Sequence, residues 1–161
     1  MKFLLPIVIV ICLATFESCI NDSVQELTKA QKEAIIKEIE KVWQTGVIGV
    51  EELDAELSFS IFSKSQEAKY IRDGHLYPDI ETAKNQYAEW FKDPNAKKQK
   101  LICDPLYYDI LDDKTVIMTT LGSITKVIDD PDQVPWVLAY TIVWRKEETG
   151  WKVLHMHNSW K

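Results

Sequence analysis

From Gln99 to its end the chain consists of long runs in which apolar and polar side chains alternate, broken only by short polar turns. Period-two alternation belongs to half-buried strands, because successive side chains point to opposite faces of a sheet. Four strands are predicted: 99–111, 115–128, 134–146 and 151–160. Asp112-Asp113, the polar stretch Asp129 to Gln133 and the charged stretch Glu147 to Gly150 separate them. Short turns make successive strands antiparallel neighbours, so the four form a meander. Pro105 has no amide proton for a ladder, which predicts a sheet edge or a bulge in the first run. Gly122 predicts a bend or bulge in the second.

Upstream the period becomes helical. Leu27, Ala34, Ile35, Ile39, Val42 and Trp43 recur at helical spacing, with Lys29, Glu33, Lys37 and Glu40 on the other face. Ser23 and Glu26 fit a capping box at the start, and Gly46 reads as the stop. Gly49 to Ala55 reads as a short second helix. Leu57 to Phe62 and Ala68 to Arg72 read as short strands, the latter ending in an Asp73-Gly74 turn. Asp79 caps a third helix with Glu81 in its first turn and Ile80, Ala83, Tyr87, Trp90 and Phe91 as its stripe; Asp93-Pro94 ends it. The fold class is therefore α+β: three helices packed on a long bent antiparallel sheet that encloses a conical pocket. The 161 residues suffice for one sizeable core, and six Trp, six Tyr and five Phe supply much of its apolar area.

Residues 1–19 carry an export signal: Lys2, then an apolar run from Phe3 to Phe16 that is short for a membrane span and holds Pro6. The run ends Thr15-Phe16-Glu17-Ser18-Cys19, which resembles the lipobox of bacterial lipoproteins and makes Cys19 the lipid acceptor. Residues 20–24 form a tether, and 25–161 the single domain. The expected address is a bacterial envelope lipoprotein, periplasmic or outer-surface, attached to the membrane through the lipid alone; a soluble secreted form is the alternative. Cys103 is then the lone thiol of the domain, a small apolar strand residue. A net charge of −6 with no Lys/Arg cluster excludes a nucleic-acid partner.

The last two strands read Ala139-Tyr140-Thr141-Ile142-Val143-Trp144-Arg145-Lys146, a hairpin ending in Gly150, then Trp151-Lys152-Val153-Leu154-His155-Met156-His157-Asn158-Ser159. This pattern resembles the SnoaL-like branch of the nuclear-transport-factor-2-like superfamily, with its Val-Trp strand end, hairpin Trp and terminal His-x-His-x-Ser. The likeness is nearest to calcium/calmodulin-dependent kinase association domains and their free-standing bacterial relatives. It covers residues 136–160 by motif and 23–160 by element order. It implies a cone-shaped α+β fold but no particular activity, since such folds host isomerases, cyclases, binding modules and oligomerisation hubs. Kinase hub domains carry pocket arginines on the last strands, where this chain has Thr141-Ile142-Val143; Arg72 and Arg145 are its only arginines.

Strict alternation puts Trp151, Val153, His155, His157 and Ser159 on one face of the last strand, and the resemblance turns that face into the cone. The expected ligand pocket is then Tyr87, Trp90, Phe91, Tyr140, Ile142, Trp144, His155 and His157, suited to a small apolar or aromatic ligand. Three functions fit such residues. A binding and oligomerisation module would pair as a homodimer through an outer face holding Met156 and Trp160. An isomerase- or cyclase-like enzyme would use His157 or His155 as general base and Tyr140, Tyr87 or Tyr70 as donor to an enolate oxygen. A metal site would start from His155 and His157, with His75 or an Asp as third ligand, but only four residues follow His157 to complete it. The reading favours the module, with no metal and no cofactor.

Overall fold

The computed structural model describes residues 26–93, 98–126 and 134–161. The expected export signal and tether, Cys19, Ser23 and the stretch Asp129 to Gln133 lie outside the described residues. Helix α1 spans Lys29–Glu52, α2 spans Ala55–Phe59 and α3 spans Ile80–Phe91. One six-stranded sheet holds β1 (Lys69–Arg72), β2 (His75–Leu76), β3 (Gln99–Ile110), β4 (Thr115–Lys126), β5 (Trp136–Glu147) and β6 (Gly150–Trp160) in the order β2-β1-β6-β5-β4-β3. This is the expected α+β architecture, with three helices on one sheet. The sheet is mixed rather than wholly antiparallel, because β1 pairs parallel to β6. That crossover joins elements remote in sequence, and no local pattern announces it.

Helix α1 begins at Thr28, whose hydroxyl accepts from the Gln31 amide while Gln31 Oε1 accepts from the Thr28 amide. It runs through Gly46 and Gly49 and ends at Leu53, which sits in the left-handed region at φ 60° and closes the last turn onto Gly49 and Val50. The expected stop at Gly46 is thus corrected. Both glycines serve close packing: a Cβ on Gly49 would lie 2.2 Å from the Ser58 amide nitrogen, so α2 rests directly on the α1 backbone. The expected strand at 57–62 is likewise helix α2 and a following turn. Asp54 caps it by accepting from the Leu57 amide at 2.9 Å, and a cap outweighs a two-period pattern only six residues long. Helix α3 forms as expected, with Asp79 accepting from the Thr82 amide.

The long strands follow the sequence closely. Edge strand β3 is irregular between Cys103 and Leu106, at Pro105. Gly122 faces that irregularity from β4; a Cβ there would lie 2.7 Å from the Ile102 carbonyl oxygen and 2.8 Å from Cys103 Sγ. The helices cross the concave face. Ile39, Val116, Met118, Ile142, Trp144 and Val153 are fully buried and fill one end. Glu38 ties α1 to this end, accepting from Trp151 Nε1 at 3.0 Å and pairing with Lys146.

Candidate ligand pocket

At the other end the helices and sheet diverge around a cavity of about 260 Å³. Trp43, Val47, Phe59, Phe62, Tyr140 and Met156 wall its interior, and Trp90, Phe91, Trp136 and Trp160 stand around its rim. Trp90 and Trp136 are exposed, which marks that end as the mouth. The rings interlock edge to face: Trp43 meets Tyr140 at 5.5 Å and Phe59 meets Tyr87 at 5.1 Å between centroids.

Besides Ser58 and Gln99, a polar cluster interrupts the apolar wall. The Tyr70 and Tyr87 hydroxyls are 2.5 Å apart, and Tyr70 reaches Asn158 Oδ1 at 3.5 Å. Burial pushes Tyr70, Tyr87 and Tyr140 above the usual tyrosine range, and the neighbouring Tyr87 adds to the rise at Tyr70 and Tyr140. All three are therefore neutral hydroxyls near neutral pH, able to donate or accept but not to act as bases.

Arg72, at the end of β1, donates from one terminal nitrogen to the Tyr87 hydroxyl at 3.1 Å. Its guanidinium carbon lies 4.4 Å from the Trp160 ring centroid, 4.7 Å from that of Trp90 and 5.4 Å from that of Tyr87. Burial works against its charge, but the surrounding tyrosine oxygens outweigh burial and hold its pKa above the usual value. Asp73 steadies this corner: one oxygen lies 3.6 Å from Arg72 Nε and the other accepts from the Trp160 amide at 2.8 Å.

Four expected pocket residues, Tyr87, Trp90, Phe91 and Tyr140, line this cavity. Ile142 and Trp144 are on the expected face of β5 but are fully buried in the closed end, beyond the cavity. His155 and His157 are not in it, so neither is placed to serve as a pocket base. The cause is a bulge. Val143 pairs with His155 but Trp144 pairs with Val153, which leaves Leu154 as the extra residue. Trp151 and Val153 point inward before it; Met156 and Asn158 do so after it, while His155 is half-exposed and His157 exposed on the outer face. Met156 and Trp160, expected outside at a dimer face, line the cavity instead. His155 and His157 do share a face, yet no group of three or more metal-ligating side chains occurs among the described residues.

Tyr70, named from the sequence only as a candidate donor, also lines the cavity, whereas Arg72, Asn158, Met156 and Trp160 were not foreseen at the site. A signal for the last three was present: Trp151 and Val153 are apolar in one phase, Met156 and Trp160 in the other. One strand cannot satisfy both phases without an extra residue. For Arg72 no local signal exists, since its position depends on the parallel pairing of β1 with β6.

Among solved structures, similar folds include a nuclear-transport-factor-2-like superfamily protein from Salmonella enterica. It is 21% identical, covers 80% of this chain and 92% of its own, and has a TM-score of 0.67. A provisionally assigned scytalone dehydratase from Novosphingobium aromaticivorans is 9% identical, with 83% and 89% covered and a TM-score of 0.69. A provisionally assigned calcium/calmodulin-dependent protein kinase II association domain from Xanthomonas campestris is 14% identical, with 76% and 85% covered and a TM-score of 0.62. At such identities the likeness concerns the fold. No curated protein matches the sequence. The SnoaL-like domain profile matches residues 39–161, the greater part of the chain and all of its sheet, and the protein is therefore a member of the SnoaL-like domain family.

Proposed function

We propose that this domain binds a small, largely aromatic ligand in the cavity between its helices and sheet. The cavity wall carries the proposal: mostly rings and aliphatic side chains surround about 260 Å³, with the tyrosine–Arg72 cluster, Ser58 and Gln99 as its polar groups. A cavity of about 150 Å³ already takes benzene, and known ligand pockets begin near 300 Å³, so one or two fused rings fit best.

The enzyme reading has support in neighbours named as dehydratases, from Novosphingobium and from Streptomyces avermitilis. Acid–base chemistry of that kind needs a group that can take a proton near neutral pH. Among the described residues lining the cavity there is no carboxylate, imidazole or thiol, and its tyrosines are held neutral. Binding is therefore the better reading. A thermal-shift screen of steroids, polyketide-like aromatics and short carboxylates tests it on wild type, His157→Ala and the cavity-narrowing Val47→Phe. A ligand at a hundred times its dissociation constant stabilises by about 2.7 kcal/mol. The shift should persist in His157→Ala and vanish in folded Val47→Phe; loss in His157→Ala alone would refute the site.

We also propose export with lipidation at Cys19, tested by palmitate labelling that Cys19→Ser abolishes. Homodimerisation is proposed through the outer sheet face, where Ile102, Tyr107, Leu121 and Val137 are exposed. Leu121→Lys should turn a dimer into a monomer in sedimentation, and a monomeric wild type at micromolar concentration would remove the idea.

A further inference from the structure

Arg72 is the one formally charged side chain among the described residues that line the cavity. Its side chain is 22% exposed, intermediate between the buried tyrosines and the exposed Trp90 and Trp136. A guanidinium packed against ring faces has its N–H donors at its planar edge. Here one donor meets the Tyr87 hydroxyl, and the Asp73 carboxylate lies 3.6 Å from Nε, beyond ordinary hydrogen-bond length. The guanidinium thus lies over the Trp90, Trp160 and Tyr87 rings while most of its donor capacity is not taken up by these two contacts. Asp73 is the acidic group that faces it, and that carboxylate is half exposed and already accepts from the Trp160 amide.

Such an arrangement is costly for a pocket that takes only hydrocarbon, since the charge loses solvation while its one ion-pair partner, Asp73, is half exposed and does not hydrogen-bond the fork. It suits a ligand that brings the counter-ion. A planar carboxylate matches the fork in two parallel hydrogen bonds, which a tetrahedral anion confined beside flat rings matches less well. We propose that the ligand is an aromatic carboxylate of one or two rings. Its ring system lies among Trp43, Phe59 and Tyr140, and its carboxylate meets Arg72 at the rim. This rests on the pocket reading above and names the ligand class for it.

The test is calorimetric titration of the full chain with 2-naphthoate and its neutral isostere 2-naphthamide. Wild type should bind the acid at least tenfold more tightly than the amide. Arg72→Gln should bind both alike, near the wild-type affinity for the amide, and Arg72→Lys should keep part of the preference. Equal binding of acid and amide by wild type overturns the carboxylate anchor and leaves the pocket standing. Binding of neither overturns both. If Arg72→Gln fails to fold, Asp73→Asn decides: removing the competing carboxylate while keeping an acceptor for the Trp160 amide should increase the preference, and a diminished preference overturns the proposal.

Discussion

Replacing Gly49 by alanine should destabilise the protein, although alanine is the better helix former. In an open helix interior the exchange gains about 1 kcal/mol. At Gly49 the new methyl would meet backbone: Ser58 N at 2.2 Å, Ser58 Cα at 2.5 Å and the Leu57 carbonyl carbon at 2.8 Å. These atoms belong to α2, anchored by its Asp54 cap and by buried Phe59, so relief requires moving the whole element off α1. Overpacking costs about 1–3 kcal/mol where side chains can shift, and backbone contact places this site at or above the top of that range. The net loss is about 2 kcal/mol or more, which lowers Tm by about 4–8 °C for a chain of this size. Gly46 is the internal control. A methyl there meets only the Ile61 side chain, at 2.7 Å from its terminal carbon, and that carbon can rotate away. Gly46→Ala should stay within about 1 kcal/mol of wild type, its propensity gain offsetting a small repacking cost. Urea unfolding of both variants, with m-values compared, measures the difference. A Gly49→Ala protein as stable as wild type, or less affected than Gly46→Ala, would refute the account of how α2 is seated.

Two further outcomes follow from the pocket. Tyr70→Phe removes the hydroxyl shared with Tyr87 and Asn158, leaving buried polar atoms short of a partner; it should cost about 1–3 kcal/mol in urea unfolding, and a neutral result would show the cluster to be dispensable. Burial raises the acid groups Tyr70, Tyr87 and Tyr140 and pushes Cys103 up to about 12, so the fold favours their protonated forms. Their contribution is complete below the unfolded values, about 8.5 for the thiol and about 10 for the phenols, and is lost as pH rises beyond them. Urea midpoints should therefore fall steeply from about pH 9 upward, and a midpoint that holds through pH 11 would contradict the burial of these groups.

The elements governed by local chemistry were legible in the sequence. Asp79 with Glu81 marked α3, Asp73-Gly74 marked the β1–β2 turn, and alternation marked the long strands to within a few residues. The interior face of β5 was legible too, because Leu138, Tyr140, Ile142 and Trp144 keep one phase throughout. What escaped depends on contacts between distant segments. Gly46 resembles a helix stop until Ile61 is seen packed against it, and Gly49 resembles the start of a new helix until α2 is seen resting on it. The parallel pairing of β1 with β6 carries Arg72 to the cavity, a placement that the strand signal at 68–72 does not encode. The bulge at Leu154 reversed the phase of half a strand, and with it the two histidines that had looked most chemical. Half the expected pocket survived that reversal because Tyr87, Trp90, Phe91 and Tyr140 lie on elements it does not touch.

The central claim is that the cavity behind Met156, not the face bearing His155 and His157, is where a ligand binds. Methionine methyl and histidine ring resonances, recorded with and without a saturating ligand from the screen, test this in one experiment. The account predicts that the Met156 methyl shifts strongly, the fully buried Met118 little, and the His155 and His157 rings not at all. Movement of the His157 ring with a stationary Met156 methyl would contradict it.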